Sequence, residues 1–353
     1  MRISTGTVLA GLLAAGNGLN ILITNDDGFG TANIRELYNA MKEFGHNVYI
    51  VSSVTNQSGT GGTVKYTKEK NLTTDGDFGI IKQGAPSIGT DPFDSHIWYY
   101  NGTPSVCVQV ALDYVRDRFT EIENFDLVLS GPNYGKNLGP FLFTMAGTLG
   151  ATYTAIERGI PAIAISAGYE GIGPYFWVNE TTPAGLRDPS TITAQLAANL
   201  AQQLIENVAA EGGDRLLPLG YGLHVNIPLI TSYTSDKCIN PPFIHTRFTG
   251  SALANTAPFN DATGLFTWGT EPNPGINQCI HGDCSLPGET VVLASGCKSS
   301  VTPFTVDWDA PVADDNRPRP DVRRLLTPVV QYEGAEKLVG GMDALKRMPV
   351  HKS

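Results

Sequence analysis

The stretch Leu19-Asn20-Ile21-Leu22-Ile23-Thr24-Asn25-Asp26-Asp27-Gly28 decides the fold. Its first part is a short apolar run that opens into a polar loop, the pattern of a strand buried on both faces of a parallel sheet. The loop begins at Asn25, so the paired carboxylates of Asp26 and Asp27 fall at the C-terminal end of that strand. Working outward, Ile34, Leu37, Tyr38, Met41 and Phe44 recur at helical spacing and Gly45 closes the segment. Asn47-Val48-Tyr49-Ile50-Val51 then returns as a strand, which completes a βαβ unit.

The alternation continues with a helix expected near Ser105 to Arg116, a strand at Asp126 to Ser130, a helix near Ala146 to Arg158 and a strand at Ala162 to Ser166. Thr191 to Val208 is rich in Ala, Leu and Gln at helical spacing, and His224-Val225-Asn226-Ile227-Pro228 supplies one more strand. The fold class read from this order is α/β, a doubly wound and mostly parallel sheet. Four parts are expected: a leader over 1–18, an α/β core over 19–232, a β and loop extension over 233–310, and a tail with short helices over 311–353. The extension is rich in Pro, Gly, Asn and Thr, and reads as an oligomerising or lid-like addition.

With 353 residues and 41% hydrophobic content the chain can bury a large core. Its 24 basic residues against 34 acidic ones, a net charge of -10, leave no overall basic field to hold a nucleic-acid polymer. A small phosphorylated substrate stays compatible, because a bound cation supplies positive charge locally. Met1-Arg2-Ile3-Ser4 followed by the apolar run Val8 to Ala15 and then Gly16-Asn17-Gly18 has the plan of a signal peptide cut close to Gly16. That run is too short to span a bilayer, and no later stretch qualifies, so a secreted chain is expected.

Cysteine usage agrees with export. Cys238, Cys279, Cys284 and Cys297 crowd the C-terminal third, as disulfides would, and allow three pairings. The short Cys279–Cys284 loop suggests one bond, which leaves Cys238 for Cys297. A zinc site using these thiols and His281 is disfavoured, since export exposes thiols to oxidation. Cys107 stands apart in an apolar helical stretch and reads as a buried free thiol. Asn71, Asn101 and Asn179 head glycosylation sequons. Asn56 heads another, but a glycan there would crowd the loop beside the aspartates, so it is expected to stay unmodified.

Ligands of open α/β sheets bind outside the carboxyl ends of the strands, and three such ends carry polar clusters here. At Asn25-Asp26-Asp27-Gly28, adjacent carboxylates repel each other unless something positive lies beside them, and a metal answers that need. Helix capping would account for one of the two at most. The haloacid dehalogenase motif would need an aspartate nucleophile where Asn25 stands, which disfavours a covalent aspartyl-phosphate route. The second cluster, Asn56-Gln57-Ser58-Gly59-Thr60-Gly61-Gly62, offers hydroxyls on a flexible backbone. The third, Ser130 to Gly139, leads through Gly147-Thr148 into a helix whose N-terminus suits phosphate.

Taken in order, Asn25-Asp26-Asp27-Gly28, Gln57-Ser58-Gly59, Asn101-Gly102-Thr103-Pro104, Ser130-Gly131-x-Asn133-x-Gly135-x-Asn137-Leu138-Gly139 and Gly147-Thr148 resemble the motif set of the SurE family. His224-Val225-Asn226-Ile227-Pro228 and Ser300-Val301-Thr302-Pro303 extend the similarity over roughly 19–310. The resemblance implies a Rossmann-type domain with a C-terminal oligomerisation extension, a homodimer or homotetramer, and hydrolysis of phosphate from nucleoside monophosphates with broader phosphatase scope. Residue by residue it implies Asp26, Asp27, Ser58 and Asn133 as ligands of one divalent cation. Gly147, Thr148 and Asn137 become the residues around the substrate phosphate. Four oxygen donors favour a hard cation, Mg²⁺ or Mn²⁺. One aspartate would orient or deprotonate a metal-activated water.

Two positions depart from the family pattern. Ala146 stands where a serine is usual before Gly147-Thr148, and Val106 where an aspartate is common after Thr103-Pro104. These departures motivate an alternative, a catalytically weakened nucleotide- or phosphate-binding protein on the same fold. His245 and His281 are read as surface residues of the extension.

Overall fold

The structure, a computed structural model, describes residues 18–248, 255–267, 269–270 and 285–307. The expected leader up to Asn17, the Cys279–Cys284 loop with His281, and the tail over 311–353 lie outside the described residues.

The chain order is β1 (Asn20–Thr24), α1 (Ala32–Glu43), β2 (Asn47–Ser53), β3 (Ile88–Thr90), β4 (Ile97–Tyr100), α2 (Pro104–Val110), β5 (Leu127–Tyr134), α3 (Gly139–Met145), α4 (Gly147–Glu157), β6 (Ala162–Ala167), α5 (Pro189–Ala210), β7 (Tyr221–Ile227) and β8 (Phe243–His245). Two-residue strands β9 (Asn255–Thr256), β10 (Phe259–Asn260), β11 (Leu265–Phe266) and β12 (Gly269–Thr270) follow, then α6 (Glu289–Ala294) and β13 (Ser299–Thr305). One nine-stranded sheet runs β3-β4-β2-β1-β5-β6-β7-β13-β8. Its pairings are parallel except β3 on β4 and β13 on β7. The α/β doubly wound, mostly parallel sheet expected from the sequence is present.

Strand periodicity splits the core into two layers. Ile21, Ile23, Ile50, Leu129 and Ile163 pack with Ile34, Leu37 and Met41 of α1 and Ala194, Ala197 and Ala201 of α5. Leu22, Tyr49, Val51 and Val128 face the other way, onto Val106 and Val108 of α2 and Ala151 and Ala155 of α4. Cys107 is buried as a free thiol, as expected, and burial pushes its pKa up to about 12.

Three details differ from the sequence reading. First, β5 runs on to Tyr134, past a register shift between Ser130 and Asn133 and a cis Gly131–Pro132 bond, so Asn133 sits on the strand rather than in a loop. Second, the helix expected through Arg116 keeps α-geometry only to Val110, then widens over Ala111–Val115 and tightens over Arg116–Arg118. Third, α3 intervenes before α4. Within the expected extension, β13 and β8 join the main sheet beyond β7, and Cys238 and Cys297 form a disulfide that fastens the start of β13 to the segment after β7.

Candidate active site

The strand that follows β1 in the chain, β2, lies on one side of it, and β5 lies on the other. In open α/β sheets ligands bind where the winding direction reverses, which in this sheet is at the carboxyl ends of β1 and β5. Asp26 and Asp27 occupy that place, each 2% exposed. Asp26 Oδ1 accepts a hydrogen bond from Thr148 Oγ1 at 2.8 Å. Asp27 Oδ2 accepts from Tyr134 N at 2.7 Å and from Asn25 Nδ2 at 3.1 Å, and its Oδ1 accepts from Asn56 Nδ2 at 3.1 Å. Each carboxylate is thus held in one orientation before any ligand arrives.

Their electrostatics are costly. Burial raises the pKa of Asp26, although the Thr148 hydroxyl and the amides at the start of α4 pull it back. Burial raises Asp27 to about 7, with the Asp26 charge adding to the effect and the Tyr134, Asn25 and Asn56 donors opposing it. None of the ion pairs among the described residues involves either carboxylate. A buried pair of like charges without a basic partner is what a divalent cation would relieve. Among the described residues no group of three His, Cys, Asp or Glu side chains could hold a metal, so the remaining donors at Asp26 and Asp27 would be neutral oxygens.

The other expected residues gather to different degrees. Asn133 donates from Nδ2 to Gly135 O at 2.8 Å, and among the described residues its Oδ1 accepts no hydrogen bond, which suits a neutral ligand. Ser58 is exposed, with its amide donating to Asn56 Oδ1 at 2.8 Å. It reaches the aspartates through Asn56, while Gln57 N donates to Asp26 O at 2.6 Å. Helix α4 supports the same loop, because a Cβ at Gly150 would lie 2.0 Å from Gly61 O.

Gly147 opens α4 so close to Asp26 that an added Cβ would meet Asp26 Cβ at 2.8 Å. Ala146 is the N-cap of α4 and gives it no side-chain hydrogen bond; Val106 is wholly buried in the core. Asn137 is held through three of its polar atoms: its N donates to Asn226 Oδ1 at 2.9 Å, its O accepts from Asn226 Nδ2 at 3.1 Å, and its Nδ2 donates to Ser166 Oγ at 2.8 Å. It shapes the loop after β5. His245 is exposed at the end of β8.

Sequence reasoning missed several participants. Asn25 donates to Asp27 and accepts from Asp26 N at 2.8 Å, so it organises both carboxylates. Asn56 grips Asp27, and its own amide donates to Asp77 Oδ2 at 2.5 Å. Behind Asn137 lies a buried chain: Asn226 Nδ2 is 3.2 Å from His224 Nε2, His224 Nδ1 is 3.3 Å from Glu289 Oε2, and Glu289 Oε1 accepts from Gly139 N at 2.5 Å. His224-Val225-Asn226 was visible as a strand motif. Glu289 carries no local signal, since its partners lie 150 residues away at Gly139 and across the sheet.

Residues 21–249 match the profile of the family described as Survival protein SurE. An acid phosphatase of Yarrowia lipolytica is 40% identical over 298 residues, covering 83% of this chain and 81% of that protein. The 5′-nucleotidase SurE of Methanosphaera stadtmanae is 29% identical over 296 residues, covering 83% of this chain and 97% of that protein. Among solved structures, the SurE protein of Aquifex aeolicus aligns with a TM-score of 0.54 at 22% identity, over 87% of this chain and 99% of that one, a likeness of fold. The strand-end aspartates, the loop that grips them and the helix that meets them lie within the matched span, and the chain belongs to the SurE family.

Proposed function

We propose that the chain hydrolyses phosphomonoesters, nucleoside 5′- or 3′-monophosphates among them and with acid-phosphatase scope, at the crevice beyond β1 and β5. The observation that carries the reading is the buried, uncompensated Asp26–Asp27 pair at the point where the winding reverses. The names of the similar acid phosphatase and 5′-nucleotidase support it.

Asp26, Asp27, Ser58 and Asn133 are the residues that would hold a divalent cation, Mg²⁺ or Mn²⁺ by their oxygen chemistry. Such a cation, when bound, offsets charge on the phosphoryl oxygens and acidifies a bound water. The protein's own part is positioning. Thr148 fixes Asp26, and Tyr134, Asn25 and Asn56 fix Asp27, so the carboxylate oxygens need not reorganise during reaction. A carboxylate oxygen of Asp26 or Asp27 orients the attacking water and takes its proton. The water oxygen forms the new bond to phosphorus, the ester P–O bond breaks, and a proton passes to the leaving oxygen. The amides at the start of α4 hold the Asp26 carboxylate and so steady it next to the reacting phosphate.

Asp26→Asn and Asp27→Asn should each lower kcat/KM with Mg²⁺ or Mn²⁺ by roughly a hundredfold or more. Full activity in either variant would overturn the reading. The bare N-cap at Ala146 favours a second reading, a binding protein of weakened turnover; tight nucleotide binding without hydrolysis under Mg²⁺, Mn²⁺ and Ca²⁺ would establish it. Export and assembly as a dimer or tetramer belong to the same proposal, export being supported by the Cys238–Cys297 bond. Among the described residues no helix is long and apolar enough to cross a membrane.

A further inference from the structure

One buried carboxylate away from the Asp26–Asp27 pair reaches both ends of the stretch from Asn137 to Gly139 that follows β5. Glu289, at the start of α6, accepts from Gly139 N at 2.5 Å through Oε1. Its Oε2 lies 3.3 Å from His224 Nδ1 and accepts from Thr302 Oγ1 at 3.3 Å. His224 Nε2 lies 3.2 Å from Asn226 Nδ2, and Asn226 clasps the backbone of Asn137: Oδ1 accepts from Asn137 N at 2.9 Å while Nδ2 donates to Asn137 O at 3.1 Å. Glu289, His224 and Asn226 are each 0% exposed, and among the described residues no Lys or Arg pairs with Glu289. A carboxylate buried so deeply has a cost, which its hold on this loop must offset.

Backbone groups fix the hydrogens along this line. Asn137 N only donates and Asn137 O only accepts, so the Asn226 amide has one orientation, Oδ1 toward the first and Nδ2 toward the second. The other hydrogen of Nδ2 then points at His224 Nε2, which must offer a lone pair. The ring hydrogen therefore sits on Nδ1, the nitrogen that faces the carboxylate. The opposite end of the line gives the same answer, because a lone pair on Nδ1 would face the negative Oε2. Phe248 stacks on the imidazole with centroids 5.4 Å apart and planes inclined by 25°, which holds the ring in place. A ring hydrogen moved to Nε2 would meet the Asn226 Nδ2 hydrogen, donor against donor. Turning the amide relieves that contact only by presenting Nδ2 to Asn137 N, which breaks the clasp.

We propose that Glu289 and His224 are positioning residues for phosphoester hydrolysis: the carboxylate sets the ring tautomer, the tautomer sets the Asn226 amide, and that amide holds Asn137 and with it the loop that follows Asn133 and Tyr134. They act through Asn137 and not by contact with the substrate. This rests on the phosphomonoesterase reading above and adds residues that control it from behind the loop. The test compares wild type, Glu289→Gln, His224→Gln and the double variant, each as the full chain with Mg²⁺ and p-nitrophenyl phosphate. Glu289→Gln keeps the shape and an acceptor for Gly139 N but turns an N–H toward His224 Nδ1, which favours the wrong tautomer. His224→Gln removes Nδ1 and leaves an amide oxygen to accept from Asn226, so it is indifferent to the tautomer conflict. Glu289→Gln should lower kcat/KM about tenfold or more. His224→Gln should stay within about threefold of wild type, and the double variant within about threefold of His224→Gln. A double variant as impaired as Glu289→Gln, or Glu289→Gln with wild-type kcat/KM, would overturn the proposal, since losses of mere packing add and do not cancel. Long-range proton–nitrogen correlation spectra of protein labelled at histidine read the ring without turnover, the His224 signal being the one lost in His224→Gln. The hydrogen should sit on Nδ1 in wild type and on Nε2 in Glu289→Gln; a wild-type hydrogen on Nε2 overturns the proposal even if Glu289→Gln fails to fold. If wild type hydrolyses no ester, the phosphatase reading falls and amide exchange at Asn137 decides the relay. Faster exchange in Glu289→Gln that the double variant restores still supports it, and unchanged exchange overturns it.

Discussion

Asp26 and Thr148 stand 122 residues apart in the chain and 2.8 Å apart at their oxygens. Thr148→Val keeps the shape and removes the donor, so the Asp26 carboxylate loses its fixed orientation; kcat/KM should drop about tenfold with little change in Tm, measured on the purified variant. Gly147→Ala tests the same junction sterically. Its Cβ would press on Asp26 Cβ at 2.8 Å, and the urea midpoint should fall by the equivalent of about 1–3 kcal/mol together with activity. Asn56 gives its side-chain nitrogen to Asp27, and a glycan on that nitrogen would break the contact. Glycopeptide mapping should find Asn56 bare, and occupancy there in active protein would contradict this account. The aspartates were legible because two carboxylates at the end of an apolar run have few other reasons to exist. Asn56 was legible only as a sequon, because its grip on Asp27 depends on a loop conformation that composition does not specify.

At the level of elements, β1, α1 and β2 were readable from periodicity alone, since each buries one consistent face. The end of β5 was not. Gly131-Pro132 reads as a strand terminator, whereas the strand shifts register there and continues, and this carries Asn133 to the crevice. The coupling of α6 to the loop after β5 was equally hidden, since it joins segments distant in sequence. Glu289 is wholly buried there and serves Gly139 N and Thr302 Oγ1 while lying 3.3 Å from His224. Glu289→Ala strands those donors, so unfolding in urea should show a loss of roughly 3 kcal/mol, while Glu289→Gln, which keeps an acceptor, should lose less. Equal losses would show that packing alone matters. The Cys238–Cys297 bond closes a span of 59 residues; by chain entropy its reduction should cost about 4 kcal/mol, read as a lower urea midpoint in reductant.

For the whole molecule, the carboxylate pair sets a dependence on pH. Burial first, and mutual repulsion second, hold Asp27 at about 7, above the usual carboxylate value of 3.8, and burial raises Asp26 as well. A group whose pKa is higher in the folded state favours folding while it stays protonated there, and that contribution drains away as the pH rises through the folded value. In chelator, Tm should therefore fall between pH 5 and pH 8, by at most about 1.4 kcal/mol of stability per proton and pH unit. Asp113, held low by the Arg158 hydrogen bond, has the opposite sign but acts in more acidic solution. Mg²⁺ or Mn²⁺ should restore Tm at pH 8 and do little at pH 5. A rising Tm across that window, or no response to either cation, would contradict the account.

Helix α4 begins against Asp26, with its first amides drawing down the energy of that carboxylate while Ala146 contributes no side-chain hydrogen bond. Peptide dipoles accompany every sequence that keeps the helix, so sequence drift cannot erode this share of the counter-charge one residue at a time. A hydroxyl before Gly147 can be lost without dismantling the cradle. Substitutions should therefore be tolerated better at Ala146 than at Gly147, where the backbone itself does the holding and an added Cβ would meet Asp26 Cβ at 2.8 Å.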